Sequence, residues 1–462
     1  MESAPAVKTR NLSLLAMTFA SLVIYGLGLS RTAKIEIRVG PNVRVGADKT
    51  RQAEPFIAAH PDDSQSLITS VSEVVDGLKS QGLLSRSYVS NDGGKTWDST
   101  ELPGQYEALV SGRLQTELDN WISFAPDGAA YYTGLPFTSN GSAPIYVFRS
   151  SDKGHTWFGP VEIADGGYDQ PRTTASLQDG KIRVYIAAAS GGAVVLVSED
   201  GGHSFQTGAR IEPDNLGHQA MNPLSLVNGS FMLPYLDFPI GEQHRLNFSR
   251  LYVARSDDGG KTFGVPRFVA DIARPYPGGA YFATDVSHGK FRGNVYATWE
   301  EGDFGPRLVH QGDQLIREES GKRREVVVVR STDNGRKWSV PRTLKVEGRG
   351  AAHFATLAVS QQGVLGVVWI QDEQYERDAR CYRVWFAASV DGGDSFSLPT
   401  AVSDKTSCSD ADLNPEPYFK SRLKGGDYIG LAAAADGSFH AVWIDARNGA
   451  FRLYTARIEV RQ

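Results

Sequence analysis

One octapeptide pattern, Ser-x-Asp-x-Gly-x-x-(Trp/Phe), occurs six times in this chain of 462 residues. The copies begin at Ser90, Ser150, Ser198, Ser256, Ser331 and Ser389. Successive copies start 60, 48, 58, 75 and 58 residues apart, and short apolar stretches fill the segments between them. A repeat unit of this size, rich in short strands, predicts an all-β radial or solenoid architecture.

Each octapeptide is predicted to form the turn of a hairpin. Its aspartate can accept hydrogen bonds from the backbone N–H groups of its own turn, and the glycine two residues later supplies a positive φ. The aromatic residue at the end anchors the turn on the sheet. We therefore predict a structural role, away from any central channel, for Asp92, Asp152, Asp200, Asp258, Asp333 and Asp391.

The six octapeptides resemble the Asp-box, or bacterial neuraminidase repeat, of sialidase-like β-propellers. With their flanking strands they extend over nearly all of the chain after about residue 35. The resemblance implies a β-propeller with the boxes at the blade periphery. It does not imply one activity, because Asp boxes also occur in sortilin-type receptors and xyloglucanases.

The number of blades follows from a second pattern, an apolar strand, a turn and another apolar strand. This pattern occurs seven times, at 55–71, 121–135, 173–189, 223–236, 281–299, 354–370 and 429–444. The last unit has no box and no fourth strand, whereas residues 35–45 form an unaccompanied strand pattern. We predict seven four-stranded blades, with 35–45 closing the ring on the last blade. Six blades with an extension is the alternative.

The N-terminal segment predicts export. Leu12 to Leu29 is apolar without a charge and follows Lys8 and Arg10, which is typical of a signal peptide over residues 1–30 or of an N-terminal membrane anchor. Residues 31–462 are then a single propeller domain of a secreted, periplasmic or cell-envelope protein. The net charge of −5 gives no indication of a nucleic-acid partner, and a membrane is a partner only through an uncleaved N-terminal segment.

Candidate catalytic residues end the predicted second strands, where long loops gather on one face. They are Asp237, Glu300, Glu301, Asp372 and Asp445. Paired carboxylates at a channel mouth are the groups that glycoside chemistry needs. The alternative is that these acids end strands and satisfy the backbone of the loops.

The resemblance to sialidases also implies three substrate-binding arginines, a Tyr–Glu nucleophile pair and an aspartic acid/base. The first arginine of that family lies in a Phe-Arg-Ile-Pro motif, and the nearest equivalent here, 54–58, contains no arginine. The candidates for substrate binding on the predicted mouth loops are Arg172, Arg377, Arg380 and Arg447. We therefore expect a specificity other than that of an exo-sialidase.

Two further predictions concern the long segment 404–428. Asp410, Asp412, Asn414 and Glu416 place oxygen atoms at every second position, so a Ca²⁺ site is an alternative to a solvated acidic loop. No other metal or cofactor is expected. Cys381 and Cys408 are the two cysteines of the chain, and their predicted loops share a face on neighbouring blades. We predict a disulfide between them.

The sequence thus predicts an exported sialidase-like propeller that acts on or binds glycans. If it is an enzyme, we expect a glycoside hydrolase of non-sialidase specificity. The alternative is a non-catalytic propeller of the cell envelope that binds a ligand or protein on its loop face.

Overall fold

A computed structural model describes most of the chain from Ile35 to the C-terminus. The described residues are 35–46, 50–75, 82–138, 144–163, 166–212, 216–239, 248–273, 279–302, 307–311, 314–318, 324–344, 350–374 and 379–462. The predicted signal peptide or anchor at 1–30 lies outside them. Within these ranges, no helix has the length and apolar character needed to cross a membrane.

Two short strands, β1 (Glu36–Val39) and β2 (Val43–Val45), precede three antiparallel sheets in which four strands pair in chain order. The first sheet contains β3 (Gln52–Ala59), β4 (Leu67–Val74), β5 (Leu83–Ser90) and β6 (Asp98–Thr100), and is followed by α1 (Gln105–Val110). The second contains β7 (Leu114–Phe124), β8 (Ala130–Thr138), β9 (Ile145–Ser150) and β10 (Phe158–Ile163). The third contains β11 (Asp169–Gln178), β12 (Lys181–Ala189), β13 (Ala193–Ser198) and β14 (Gln206–Ile211).

Three further sheets keep this order and add short strands to it. The fourth contains β15 (Leu216–Ala220), β16 (Leu224–Ser225), β17 (Phe231–Pro239), β18 (Phe248–Ser256) and β19 (Arg267–Ala273). The fifth contains β20 (Tyr281–Thr284), β21 (Val295–Glu301), β24 (Glu325–Ser331) and β25 (Arg342–Thr343), with the hairpin β22 (Arg307–Gln311) and β23 (Gln314–Glu318) between β21 and β24. The sixth contains β26 (Ala352–Val359), β27 (Leu365–Asp372), β28 (Cys381–Ser389), β29 (Thr400–Ala401) and β30 (Ser407–Cys408).

The seventh sheet joins the two ends of the described chain. The short helix α2 (Pro417–Ser421) leads into β31 (Gly430–Ala433), β32 (Phe439–Asp445) and β33 (Arg452–Arg461). Both β1 and β2 pair with β33, so that Ile37 lies opposite Val460 and Arg44 opposite Tyr454. The fold is a seven-bladed β-propeller closed by its N-terminal strand. The predicted blade number and closure are confirmed, and the six-bladed alternative is wrong.

The core lies between neighbouring blades, because both faces of each sheet are covered. The second strands β21, β27 and β32 carry Trp299, Trp369 and Trp443, each at most 1% exposed. These rings belong to separate apolar clusters, each of which draws residues from two adjacent blades. Burial on both faces explains the nearly continuous apolar sequence of these strands.

The Asp boxes form the turns between the third and fourth strands. In the fourth blade, Asp258 Oδ1 accepts the backbone N–H groups of Lys261 and Thr262 at 3.0 and 2.9 Å. Its Oδ2 accepts the Thr262 hydroxyl at 2.5 Å. The Ser256 hydroxyl donates to Asp258 and accepts the N–H of Gly260. One aspartate therefore closes the turn through several local hydrogen bonds.

We predict that Asp258→Ala lowers the free energy of unfolding by on the order of 1–3 kcal/mol, because the donors of the turn lose their acceptor. The matched control is Asp257→Ala, since Asp257 is adjacent and exposed and is paired with Arg255 at the surface. Urea unfolding of both variants measures the difference. Equal stability of the two variants would contradict a structural role for the box.

Glu117 on β7 is completely buried between the first and second blades, beside Ser85 and Gln105. Loss of hydration raises the pKa of its carboxyl from 4.5 to about 8, against a smaller opposing effect of the two neighbours. The pKa is thus higher in the folded chain than in the unfolded chain. Protonated Glu117 therefore makes its full contribution to the free energy of unfolding below about pH 4.5. This contribution is lost as the pH rises through about 8.

We therefore predict that Glu117→Gln, which cannot ionise, is more stable than the unmodified chain by a few kcal/mol at about pH 9. At about pH 5 the two proteins should have nearly equal stability. Thermal unfolding at both pH values measures this. A stability difference that is the same at both would show that Glu117 does not titrate in this range.

Candidate active site

The first strands of the seven blades begin at one end of the central channel, which we call the mouth. Neighbouring inner strands contact one another around the ring, as do β3 and β7, β7 and β11, β20 and β26, and β26 and β31. The mouth residues are Glu54, Asp119, Asp169, Arg172, Tyr281, Tyr418, Arg422, Asp427 and Tyr428. Four blades, the first, second, third and fifth, and the segment 404–428 contribute to it.

Two of the mouth carboxylates, those of Glu54 and Asp119, are carried by backbone bulges. Four inner strands shift register near their start, and each shift contains one non-glycine residue with a positive φ. These residues are Glu54, Asp119, Gln170 and Phe354, with φ of 53°, 55°, 48° and 57°. Such conformations cost free energy and are concentrated at functional sites. A bulge with a positive-φ residue in four inner strands therefore indicates a functional site at this end of the channel.

Glu54 is 1% exposed and lies behind Tyr418. The Tyr418 hydroxyl donates to Oε1 of Glu54 at 2.5 Å, and the backbone N–H of Asp119 donates to Oε2 at 2.9 Å. Loss of hydration and, next, the charge of Asp427 raise the pKa of Glu54 to about 7, although both hydrogen bonds oppose the shift. Near neutral pH this carboxyl can therefore both accept and release a proton.

Asp119 is half-buried and more accessible than Glu54. Loss of hydration raises the pKa of its carboxyl well above the ordinary value, and the charges of Glu54 and Asp169 raise it further. The guanidinium of Arg172 acts in the opposite direction. Asp119 therefore retains its proton at a pH where an ordinary aspartate is ionised, which suits a general acid.

Tyr418 reaches the mouth from α2, after Pro417 at the first helical position. The Arg422 guanidinium lies 4.5 Å from the centre of the Tyr418 ring, and its Nε donates to Oδ2 of Asp427 at 3.0 Å. Burial raises the pKa of the Tyr418 phenol well above 10, and the nearby Glu54 and Asp427 charges add to this. The phenol is therefore a weak acid that needs a base to react, and Glu54 is the base in contact with it.

Aromatic rings from several blades meet at the mouth. Trp121 from the second blade stacks on Phe56 with ring centroids 3.6 Å apart, and lies 6.3 Å from Tyr281 of the fifth blade at an interplanar angle of 9°. Arg172 is 3% exposed and packs against both Trp121 and Tyr281, 5.6 and 5.1 Å from their centres. Side chains of the first, second, third and fifth blades thus contact one another across the ring.

Comparison with known proteins agrees with this architecture. The family described as BNR/Asp-box repeat matches residues 88–99, which include the first octapeptide. The chain is an Asp-box β-propeller. The resemblance drawn from the six octapeptides is thereby confirmed.

Solved structures similar to this Asp-box propeller include a protein of unknown function from Dyadobacter fermentans, at 14% identity over 92% of this chain and 99% of that one, with a TM-score of 0.47. An α-L-arabinanase of Penicillium chrysogenum complexed with arabinobiose is 13% identical over 74% and 92%, with a TM-score of 0.46. A Streptococcus pneumoniae sialidase is 12% identical over 90% and 70%, with a TM-score of 0.44. No curated protein matches the sequence significantly. At these identities the fold is assigned from the strand pairing of the chain itself.

Two of the acids predicted at second-strand ends are paired with histidines of the neighbouring inner strand. Asp237 contacts Nδ1 of His218 at 2.7 Å, and Asp372 contacts Nε2 of His353 at 2.7 Å. Asp372 is buried and also pairs with Lys424 at 3.1 Å. The propeller therefore uses both carboxylates to join its first and second strands.

The other predicted acids also lie at the ends of second strands. Glu300 is buried and accepts the backbone N–H of Ala355 from the next blade, while Glu301 is half-buried at the end of β21. Asp445 accepts the indole N–H of Trp443 at 2.9 Å and pairs with Arg447 at 2.8 Å. Glu300 lies within electrostatic range of Tyr281 at the mouth, whereas nothing in these contacts places Glu301 or Asp445 there. The catalytic role of all three stays a prediction.

Of the predicted arginines, Arg172 lies at the mouth. Arg447 instead bonds Asp404, Asn42 and Asp445, and stacks on Tyr454 at 4.2 Å. Arg380 is exposed and lines a separate cleft of about 190 Å³ beside the segment 404–428. Arg377 lies outside the described residues. Arg422 was not predicted.

The segment 404–428 is held by a disulfide and by local hydrogen bonds. Cys381 and Cys408 are bonded, as predicted, and β30 pairs with β28 at that position. Asn414 donates to the backbone oxygens of Asp410 and Gly449, and Glu416 pairs with Arg51 at 2.7 Å. Asp412 is exposed. Across the described ranges, no three His, Cys, Asp or Glu side chains are grouped so as to hold a metal ion.

Most mouth residues were missed because they precede the regular strand patterns. One signal was available: Pro55 and Pro171 follow Glu54 and Gln170 directly. Proline inside a strand pattern indicates an edge or a bulge, and here both hold, since β3 and β11 are the inner edge strands of their sheets and each shifts register at its proline. No local signal joins Tyr418 to Glu54, since 364 residues separate them.

Proposed function

We propose that this Asp-box propeller is a glycoside hydrolase of non-sialidase specificity that acts at the mouth. The observation that carries the proposal is the Tyr418–Glu54 hydrogen bond of 2.5 Å beside Asp119. Tyr418 is half-buried and Glu54 is 1% exposed, so that Tyr418 is the member of the pair that is more accessible to a ligand.

In the proposed reaction, the Tyr418 oxygen attacks the anomeric carbon and transfers its proton to Glu54. The Asp119 carboxyl gives its proton to the glycosidic oxygen, and the aglycone leaves. Water then attacks the anomeric carbon and gives its proton to Asp119. The bond from that carbon to the Tyr418 oxygen breaks, and Glu54 returns the proton to Tyr418. A neutral nucleophile suits this mouth, because an additional ionised carboxylate would be repelled by the charges of Glu54 and Asp427.

The arginines support a specificity other than that for sialosides. Recognition of a sugar carboxylate by guanidinium groups requires their N–H donors to face the ligand. Arg172 is buried against Trp121 and Tyr281 and donates to Gln170 at 2.9 Å. Arg422 donates to Asp427 and covers the ring of Tyr418.

Export is part of this proposal. It rests on the apolar segment Leu12 to Leu29 and on the Cys381–Cys408 disulfide, since disulfides persist in oxidising compartments.

The test is a screen of the purified protein against neutral, amino and sialylated glycosides, with released sugar measured by chromatography. Turnover of a non-sialylated glycoside is the expected result, and NMR of the first-formed anomer should show retention, which a covalent intermediate requires. Turnover of sialosides alone would overturn the specificity. Binding without any turnover would favour the alternative, a non-catalytic glycan-binding propeller.

A further inference from the structure

Exposed apolar residues recur at one position of three successive blades. Val265, Val340 and Leu398 are each the second residue after an Asp box and directly precede a proline, in the fourth, fifth and sixth blades. They are 78%, 80% and 80% exposed, more than any other large apolar side chain of the described residues. Single exposed apolar residues are common, but recurrence at one position of adjacent blades makes a row, which we call the apolar row.

The backbone holds the apolar row in the same way in each blade. The residue before the apolar one donates its N–H to the carbonyl oxygen of the residue before the box, as Gly264 does to Arg255 at 2.9 Å, Ser339 to Arg330 at 2.8 Å and Ser397 to Ala388 at 2.8 Å. The row thus lies at the turns between third and fourth strands. Third strands run parallel to the first strands, so these turns are at the end opposite the mouth, which we call the Asp-box face.

The described chain begins at the Asp-box face as well. In the seventh blade β1 takes the place of the fourth strand, and its first residue, Glu36, lies opposite Arg461 at the end of β33. Because β33 is the third strand of that blade, its end corresponds to the box turns of the other blades. The chain therefore enters the propeller on the blade next to the one that carries Leu398.

The sequence before that entry point can act as a membrane anchor. Leu12 to Leu29 has the length and apolar character of a membrane-spanning segment. Residues 30–34 alone separate it from Ile35, and an extended chain spans at most about 3.6 Å per residue. If the segment is retained, it holds the Asp-box face within roughly 20 Å of the bilayer.

Positive charge accompanies the apolar row. A cleft of about 450 Å³ beside Val265 is lined by three arginines and two aspartates, Arg255, Arg267, Arg336, Asp257 and Asp258. Arg267 and Arg336 are exposed, whereas Asp258 accepts the hydrogen bonds of its own box. Guanidinium groups bind phosphate well, and anionic lipid surfaces attract basic residues. An anionic phospholipid headgroup therefore complements the charge of this cleft.

We propose that the Asp-box face lies on the surface of a membrane that contains anionic phospholipid, with the apolar row in contact with lipid and the mouth directed away from it. Apolar contact combined with attraction of basic residues to anionic lipid is the usual basis of binding at a membrane surface. The inference takes Leu12 to Leu29 as a retained anchor. It is independent of the proposed activity, because none of the residues that carry it is at the mouth.

The test measures which end of the propeller meets lipid. The full chain is reconstituted in vesicles of phosphatidylcholine and phosphatidylglycerol in equal parts, with and without a nitroxide-labelled phospholipid that quenches fluorescence. Because Cys381 and Cys408 are bonded, an introduced surface cysteine offers a free thiol for a fluorophore. Val340→Cys places the fluorophore on the apolar row. The matched control is Val110→Cys, since Val110 is an exposed valine of α1, which leads into the mouth end of β7.

We expect the nitroxide lipid to remove most of the fluorescence of labelled Val340→Cys and little of that of labelled Val110→Cys. Addition of Val265→Asp and Leu398→Asp to the Val340→Cys chain should restore the fluorescence, because carboxylates oppose contact with an anionic, apolar surface. Both replaced side chains are exposed, so we expect the propeller to fold with either substitution.

Each contrary result would overturn the inference. Equal quenching at Val340 and Val110, or quenching at Val110 alone, would refute the orientation. A full chain that does not enter the vesicles would show that Leu12 to Leu29 is not an anchor. A chain that enters them without quenching at Val340 would leave a protein as the occupant of the apolar row. Quenching that survives both aspartate substitutions would refute the role of the row.

Discussion

Tyr418→Phe is expected to lower the turnover of the glycoside identified in the screen by about a thousandfold or more, because it removes the proposed nucleophile. The phenylalanine ring can keep the contact with Arg422, so little loss of stability should accompany the loss of rate. The matched control is Tyr454→Phe. Tyr454 is also half-buried beneath an arginine, at 4.2 Å from Arg447, but lies outside the mouth.

Glu54→Gln should decrease turnover similarly and also change its pH dependence. In the unmodified protein, activity should fall as the pH decreases through about 7, because Glu54 must be ionised to accept the Tyr418 proton. In the variant this decline near pH 7 should disappear. A buried glutamate with a merely structural role would lower stability without moving the pH profile.

Glu73→Gln is the control for that substitution. Glu73 is also buried and accepts a hydrogen bond from Tyr88, and burial raises the pKa of its carboxyl. It lies at the end of β4 and is not one of the mouth residues. Full activity of Tyr418→Phe, or equal pH profiles for Glu54→Gln and the unmodified protein, would refute the proposed mechanism.

Removal of β1 and β2 is expected to cause the largest loss of stability. A chain that begins at Gly46 lacks every pairing of these strands with β33 and loses the burial of Val45. Lost apolar burial at Ile37, Val39 and Val45 together with lost strand pairing should cost on the order of 5 kcal/mol or more. The exposed edge of β33 should also promote association between chains.

The control is a chain that begins at Ile35, which lacks the same preceding residues but retains both strands. Thermal unfolding and light scattering of the two chains measure stability and association. Equal melting temperatures and equal monomer content would show that the ring does not depend on its N-terminal closure.

The fold could be predicted because its determinants are local and repeated. Each Asp box makes its hydrogen bonds within a few residues, as Asp258 does with Thr262, so the octapeptide contains the whole interaction. The closure by residues 35–45 could be predicted because the last repeat lacks a fourth strand, whereas the strand pattern at 35–45 belongs to no repeat of its own. Both inferences use patterns that are visible along the chain.

The mouth could be predicted only in part because its contacts are not local. The acids at the second-strand ends were placed correctly on their strands. The alternation of apolar and polar residues along a strand does not reveal that His218 pairs with Asp237 and His353 with Asp372. Glu54 and Asp119 occupy bulges, where the two-residue period fails. Of the arginines, Arg172 alone was identified at the mouth, since Arg447 serves the closure of the ring.

The stack of Phe56, Trp121 and Tyr281 with Arg172 limits how any ligand can travel. A propeller with an open axis could let a polymer thread through it and be processed continuously. Contacts across the axis would instead leave a ligand of the proposed hydrolase one opening, through which a long chain could present only a terminus or a short branch. Each catalytic cycle of that hydrolase would then be a separate binding event, and a bound product would block the following substrate.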